Sequence, residues 1–162
     1  MSQYLIIPIA ERLEESLKLA ECYGLGFEFN DFCLPDVLDD EEGVQKRIAF
    51  YREQMPCGIN TMHGAFYDIA VFSMDERIRR VCVERIEQSL QIAQRLGVKG
   101  VVFHSNLNPM LTAETYREGF VEANVKVWRE LTGKYPDIQI YLENMFDKAP
   151  TEIVRIAEAL RD

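Results

Sequence analysis

The chain has 162 residues, 48% of them hydrophobic and 28% charged, which suits one folded domain with a buried core and argues against disorder. Acidic residues outnumber basic ones 27 to 18 for a net charge of −9, a balance that repels a phosphate backbone and disfavours nucleic-acid binding. The N-terminal MSQYLIIPIAERLEE has no basic region, and no stretch approaches the roughly 18 apolar residues of a membrane span, so a cytoplasmic setting is expected.

Residues 4–10, YLIIPIA, read as a short strand. Residues 11–24 then place Leu13, Leu17 and Ala20 on one helical face, with Gly24 as the stop. Residues 25–31 alternate as a second strand. The acidic segment 34–43 reads as a loop leading into a helix at 44–54, ended near Pro56. CGINTMH, 57–63, is the third strand. Ser73 followed by Glu76 has the spacing of a capping box, opening a helix whose stripe is Ile78, Cys82, Ile86, Leu90 and Ala93 and whose stop is Gly97. RIRR at 77–80 is the basic knot of the chain and reads as the solvated face of that helix.

VKGVVFH, 98–104, is the fourth strand, continuously apolar as a strand buried on both faces would be. A long helix is expected over 113–134, punctuated by Pro136. DIQIYLEN, 137–144, is the fifth strand, and 149–162 the last helix, with Pro150 in its first turn. The cysteines, Cys22, Cys33, Cys57 and Cys82, show no C-x-x-C spacing and read as reduced, mostly buried thiols.

Strand–helix alternation without hairpin signals means parallel strands joined by crossover helices. The five units have the unit length of a (β/α)8 barrel, so the fold class is α/β, a parallel barrel of TIM type, incomplete at about five of eight units. The structural rival is a complete doubly wound sheet of flavodoxin type, although PIAERLEE lacks a glycine-rich phosphate loop.

In either architecture chemistry gathers at the carboxyl ends of the strands. The polar residues there are Glu28, His63, His104 and Glu143, and the chain has no other histidine. Two imidazoles and two carboxylates can bind a divalent cation or transfer protons. Each also has a structural reading, as a hydrogen-bonded strand end or a solvated residue. Phe66, Tyr67 and Phe103 read as packing, and Asp31, Cys33 and Asp68 as turn residues.

MHGAFYDI after the third strand, VVFH ending the fourth and YLENM ending the fifth resemble the xylose isomerase-like TIM-barrel superfamily of sugar and sugar-phosphate isomerases and epimerases and endonuclease IV-type repair enzymes. His63-Gly64-Ala65-Phe66 and Leu142-Glu143-Asn144 match its third- and fifth-strand motifs, and Glu28 a frequently acidic position. His104 is followed by Ser105-Asn106 where Pro-Gly is common. The resemblance implies Glu143 as metal ligand and proton-transfer acid, with His63 and His104 as further metal ligands or substrate contacts and Glu28 beside the substrate. It also implies further ligands on strands six to eight, which would lie beyond Asp162.

Residues 1–162 are therefore expected to be a single domain, the N-terminal portion of such a barrel, with a divalent metal (Mn²⁺, Mg²⁺ or Zn²⁺) incompletely coordinated. The expected activity is a metal-dependent isomerase or epimerase acting on a sugar or sugar phosphate, without nucleic-acid or membrane partners. Open sheet edges predict a homo-oligomer that covers them. The alternatives are an endonuclease IV-like zinc nuclease and a non-catalytic fragment or binding module.

Overall fold

The computed structural model describes residues 4–161. Five strands, β1 (Leu5–Ile6), β2 (Gly26–Phe29), β3 (Thr61–His63), β4 (Gly100–His104) and β5 (Gln139–Glu143), form one sheet in the order β1-β2-β3-β4-β5, every neighbouring pair parallel. Helices α1 (Leu13–Tyr23), α2 (Pro35–Asp39), α3 (Glu41–Arg52), α4 (Glu76–Leu96), α5 (Glu114–Lys134) and α6 (Thr151–Ala159) supply the crossovers and follow the last strand. A doubly wound sheet reverses strand order at a switch point. Here the order never reverses, and right-handed crossovers then keep the helices on one face. The sheet is the wall of a barrel, open at β1 and β5.

The pleat sorts the side chains. Phe27, Phe29, Met62, Val101 and Phe103 face the helices and are fully buried, with Phe103 packed on Trp128 of α5. The opposite, concave face carries Glu28, Thr61, His63, Val102, His104, Tyr141 and Glu143, and opens toward solvent at Tyr141, which is 46% exposed. Beneath the sheet, α4 buries Cys82, Ile86, Leu90 and Ala93 along one stripe, whereas Ile78, at the start of that stripe, is exposed.

Several boundaries follow from capping chemistry. α1 and α4 stop at Gly24 (φ 64) and Gly97 (φ 87), left-handed positions that glycine adopts without cost. The acidic segment 34–43 is helical rather than a loop. Pro35 opens α2, and the Asp40 carboxylate accepts from the Gly43 amide to start α3 three residues before the expected position. The cap of α4 is Asp75, whose carboxylate accepts from Arg77 N at 2.8 Å, while the Ser73 hydroxyl accepts from Asp75 N instead. A carboxylate nearer the helix start displaces the expected Ser73–Glu76 box. Pro150 is the N-cap of α6 rather than part of its first turn. The four thiols are free, Cys33 and Cys82 buried and Cys22 and Cys57 exposed, so half rather than most are buried.

Two glycines give a test of this packing. A Cβ on Gly64 would meet the Phe103 ring at 2.2 Å, and Phe103 is 1% exposed with nowhere to go, whereas a Cβ on Gly119 of α5 meets nothing within 4 Å. Gly64→Ala is expected to lower unfolding stability by about 1–3 kcal/mol through overpacking, and Gly119→Ala to raise it by about 0.5–1 kcal/mol through helix propensity. Urea denaturation of both variants checks the pair.

Candidate functional site

Three consecutive strands end on a polar side chain: β3 on His63, β4 on His104 and β5 on Glu143. Parallel register puts His104 directly beside Glu143, and His63 beside Val102, one pleat repeat below His104. Residues two apart on a strand share a face, so all three side chains stand on the concave face. The ladder continues past the strand ends, with Gly64 N donating to Val102 O and Ser105 N to Glu143 O, both at 2.9 Å. These bonds carry the register up to the site.

The side chains converge. His63 Nε2 and His104 Nε2 are 3.0 Å apart, and His104 Nε2 lies 3.5 Å from a Glu143 carboxylate oxygen. One ligand atom from each residue lies within 4.8 Å of both others. His63 is 7% exposed, whereas the Glu143 side chain keeps 56% of its surface in solvent. Two sheltered imidazoles thus form the floor and an accessible carboxylate the rim.

The hydrogen bonds orient the rings. His63 Nδ1 sits 3.0 Å from Gly64 O, an atom that can only accept, which assigns the proton to Nδ1 and leaves the Nε2 lone pair facing the cluster. His104 Nδ1 is buried without a hydrogen-bond partner among the described residues. The His104 pKa is pushed below the ordinary histidine value, first by burial and then by neighbouring His63, with Glu143 pulling the other way. A neutral ring with a free lone pair is the form a metal requires.

The donor set fits a divalent ion. Bonds of about 2.0–2.1 Å at a tetrahedral angle separate two ligand atoms by about 3.3 Å, close to the spacing of the two Nε2 atoms. Two imidazoles and one carboxylate, with a position left open, is a zinc-type set, whereas Mg²⁺ prefers more oxygens.

Glu28 is placed differently. It precedes the last residue of β2, pairs in register with Thr61, and so lies one pleat repeat below His63. Its carboxylate accepts from Thr61 Oγ1 at 3.4 Å and lines a groove of about 320 Å³ with Leu5, Ile59, Thr61, Val102 and Tyr141. It is therefore on the same face as the cluster but outside it. A larger cavity of about 940 Å³ lies between α4 and α5, around Phe72, Met74 and Tyr116, on the helical layer.

Residue-type reasoning missed the surroundings. Phe66 packs beside both imidazoles and Phe103 packs in the core, as read from the sequence, whereas Tyr67, on the outer side of Phe66, is exposed. Ser105 donates to Asp147 at 2.6 Å, tying the loop after β4 to the loop after β5. Ser105-Asn106, where the resemblance leads one to expect Pro-Gly, was the signal that these loops are built in their own way.

No protein-family model matches the chain, and a search of curated proteins finds no match. Among solved structures it is similar to the TTHB071 protein of Thermus thermophilus, from a zinc chloride soak, at 24% identity and a TM-score of 0.70, covering 97% of this chain and 61% of that one. It is also similar to a D-tagatose 3-epimerase-like protein, at 20% identity and a TM-score of 0.68, over 97% and 60% of the two chains. More distantly, endonuclease IV of Thermus thermophilus matches at 19% identity and a TM-score of 0.51, over 91% and 52%.

The metal-free chain should show the depressed His104 pKa directly. Folding favours the neutral ring, so its contribution to stability is complete above the ordinary value of 6.5. It diminishes as pH falls below that value, until His104 itself protonates. Imidazole NMR titration should find a midpoint below 6.5, and Glu143→Gln, which removes the opposing charge, should lower it further.

The chain spans about three fifths of the length of the first two of these structures, and over that span it has the fold of the xylose isomerase-like TIM barrels.

Proposed function

We propose that residues 1–162 are a single domain, the N-terminal portion of a metal-dependent sugar or sugar-phosphate isomerase or epimerase, with His63, His104 and Glu143 as the metal-binding part of its active site. The observation that carries this reading is the convergence of those three side chains at the carboxyl ends of neighbouring parallel strands. The fold likeness to an epimerase-like protein and to a protein soaked with zinc chloride supports it.

Each residue has a task set by its surroundings. His63 and His104 would hold the ion through Nε2, His63 oriented by its bond to Gly64 O. Zn²⁺ suits the two nitrogens better than Mn²⁺ or Mg²⁺. The metal, when bound, supplies Lewis-acid polarisation of substrate oxygens. Glu143, exposed at the rim, would contact the ion and take the proton from the carbon next to the substrate carbonyl at its second carboxylate oxygen. Glu28, in the groove below, would contact the substrate. No helix among the described residues is long and apolar enough to cross a membrane.

The likeness to endonuclease IV gives a second reading, a zinc-dependent nuclease acting on damaged DNA. The net charge of −9 weighs against it. Cleavage of an abasic-site duplex would favour the nuclease, exchange of a sugar C–H proton with solvent the isomerase, and neither a fragment or binding module.

The open sheet also supports self-association. The described chain exposes 9890 Å², whereas a compact monomer of this mass exposes roughly 8,300 Å². The excess, roughly 1,600 Å², is enough for a substantial interface. Two copies, each pairing its β5 with β1 of the other, would cover all four edges in the parallel sense.

Two measurements test these proposals. Calorimetric titration of Zn²⁺ into the purified chain should give saturable binding that weakens at least tenfold in Glu143→Ala; no binding to the folded wild type would reject the metal site. Sedimentation equilibrium should show association that rises with concentration, and a monomer throughout the micromolar range would reject the oligomer.

A further inference from the structure

β2 reaches the level of the cluster through Asn30 rather than Glu28. Glu28 pairs with Thr61 and Phe29 with Met62, so the residues that follow, Asn30 and His63, stand side by side. Alternation puts Asn30 on the concave face, one pleat repeat above Glu28. The row across the sheet at that level reads Asn30, His63, Val102 and Tyr141.

Asn30 Oδ1 is buried without a hydrogen-bond partner among the described residues. A buried acceptor left unmatched is costly, and folded chains keep few of them. Four buried side-chain atoms are in that condition among the described residues. Three of them, Asn30 Oδ1, His104 Nδ1 and Asp147 Oδ1, lie at the carboxyl end of β4 or in the segments that follow β2 and β5. The fourth, Arg95 Nη2, is within ion-pair distance of Glu41. Unmatched polar atoms thus gather at the end of the sheet that carries the site.

Backbone conformation does not account for an asparagine at position 30, since the left-handed non-glycine positions among the described residues are Asp68 and Asn106. Nor is the segment loosely held. Cys33 Sγ donates to Asn30 O at 3.1 Å, and Arg47 Nη1 to Asp31 O at 2.9 Å. The Tyr51 hydroxyl donates to the Asp31 carboxylate, and Phe32 is fully buried. A side-chain carbonyl on so fixed a backbone is organised in advance to accept from a bound molecule.

We propose that Asn30 is a substrate-binding residue, its side-chain carbonyl accepting a hydrogen bond from a hydroxyl of the sugar held at the cluster. The inference rests on the sugar reading above and names the chemistry of the substrate on the β2 side. A carbonyl pairs with a hydroxyl, which donates, and gains nothing from a phosphate dianion, whose oxygens only accept. Glu28 and Asp31, close to Asn30 in the chain, add negative charge that turns a phosphate away. The subsite therefore takes an unphosphorylated part of the substrate.

The test uses the whole chain with excess Zn²⁺ and D-fructose as the probe, binding being followed by NMR chemical-shift titration. The wild type should bind D-fructose saturably. Asn30→Leu nearly keeps the size and removes the acceptor, and it should weaken binding roughly three- to tenfold, the worth of one neutral hydrogen bond. Asn30→Asp keeps an acceptor in place and should bind no worse than the wild type. Urea denaturation without sugar gives the second readout. Because Oδ1 has no internal partner, Asn30→Leu should unfold at the wild-type urea midpoint or above it. Wild-type affinity in Asn30→Leu overturns the subsite and leaves the sugar reading standing. A lowered urea midpoint alongside the lost affinity overturns it too, because the carbonyl then serves the fold. A wild type that binds Zn²⁺ but not D-fructose strikes the sugar reading itself, and the subsite with it.

Discussion

The site depends on parallel register. His63, His104 and Glu143 are separated by 41 and 39 positions in the chain and meet because β3, β4 and β5 pair with Val102 opposite His63 and Glu143 opposite His104. A slip of one residue on β4 would turn His104 from the concave face to the helical layer and put Phe103 in its place. The helical layer guards against that slip. Phe103 is enclosed by Trp128 and by the absent side chain of Gly64, and Met62 and Val101 are fully buried beside it. Core packing on one face of the sheet therefore sets the chemistry on the other. Gly100 assists from below, since a Cβ there would press on Tyr141 at 2.6 Å and on Thr61 at 2.9 Å, the residues that floor the groove.

The same arrangement separates sheltered from accessible groups. The imidazoles sit deep, where burial pushes the His104 pKa down, and the carboxylate stays at the rim, where a substrate could reach it. That division suits a centre in which some groups hold an ion and another exchanges a proton. The groove beneath, with Glu28, Thr61 and Tyr141, continues the concave face toward the open edges of the sheet.

Much of this was legible from residue order. Hydrophobic period located the five strands and the long helices, because each strand has one face or both in the core and each helix a stripe. Gly24 and Gly97 end helices where only a left-handed turn fits. His63, His104 and Glu143 were legible because a polar residue ending an apolar run has few other places to go. What stayed hidden depended on competition or on contacts distant in sequence. Asp75 outcompetes Ser73 as a cap, Asp40 draws an acidic segment into a helix, and Glu28 reads as a strand end although β2 continues to Phe29. The turn that sets Phe66 beside the imidazoles was unreadable because its support, Asn106, comes from another unit of the fold.

A metal centre here requires that one ion sit between these three side chains. A crystal of the chain soaked in Zn²⁺ and measured at the zinc absorption edge would show it. A single anomalous peak is expected about 2.0–2.2 Å from His63 Nε2, His104 Nε2 and a Glu143 oxygen. A peak at the exposed Cys22 or Cys57 thiols instead, or none while the two histidines keep their mutual contact, would contradict it.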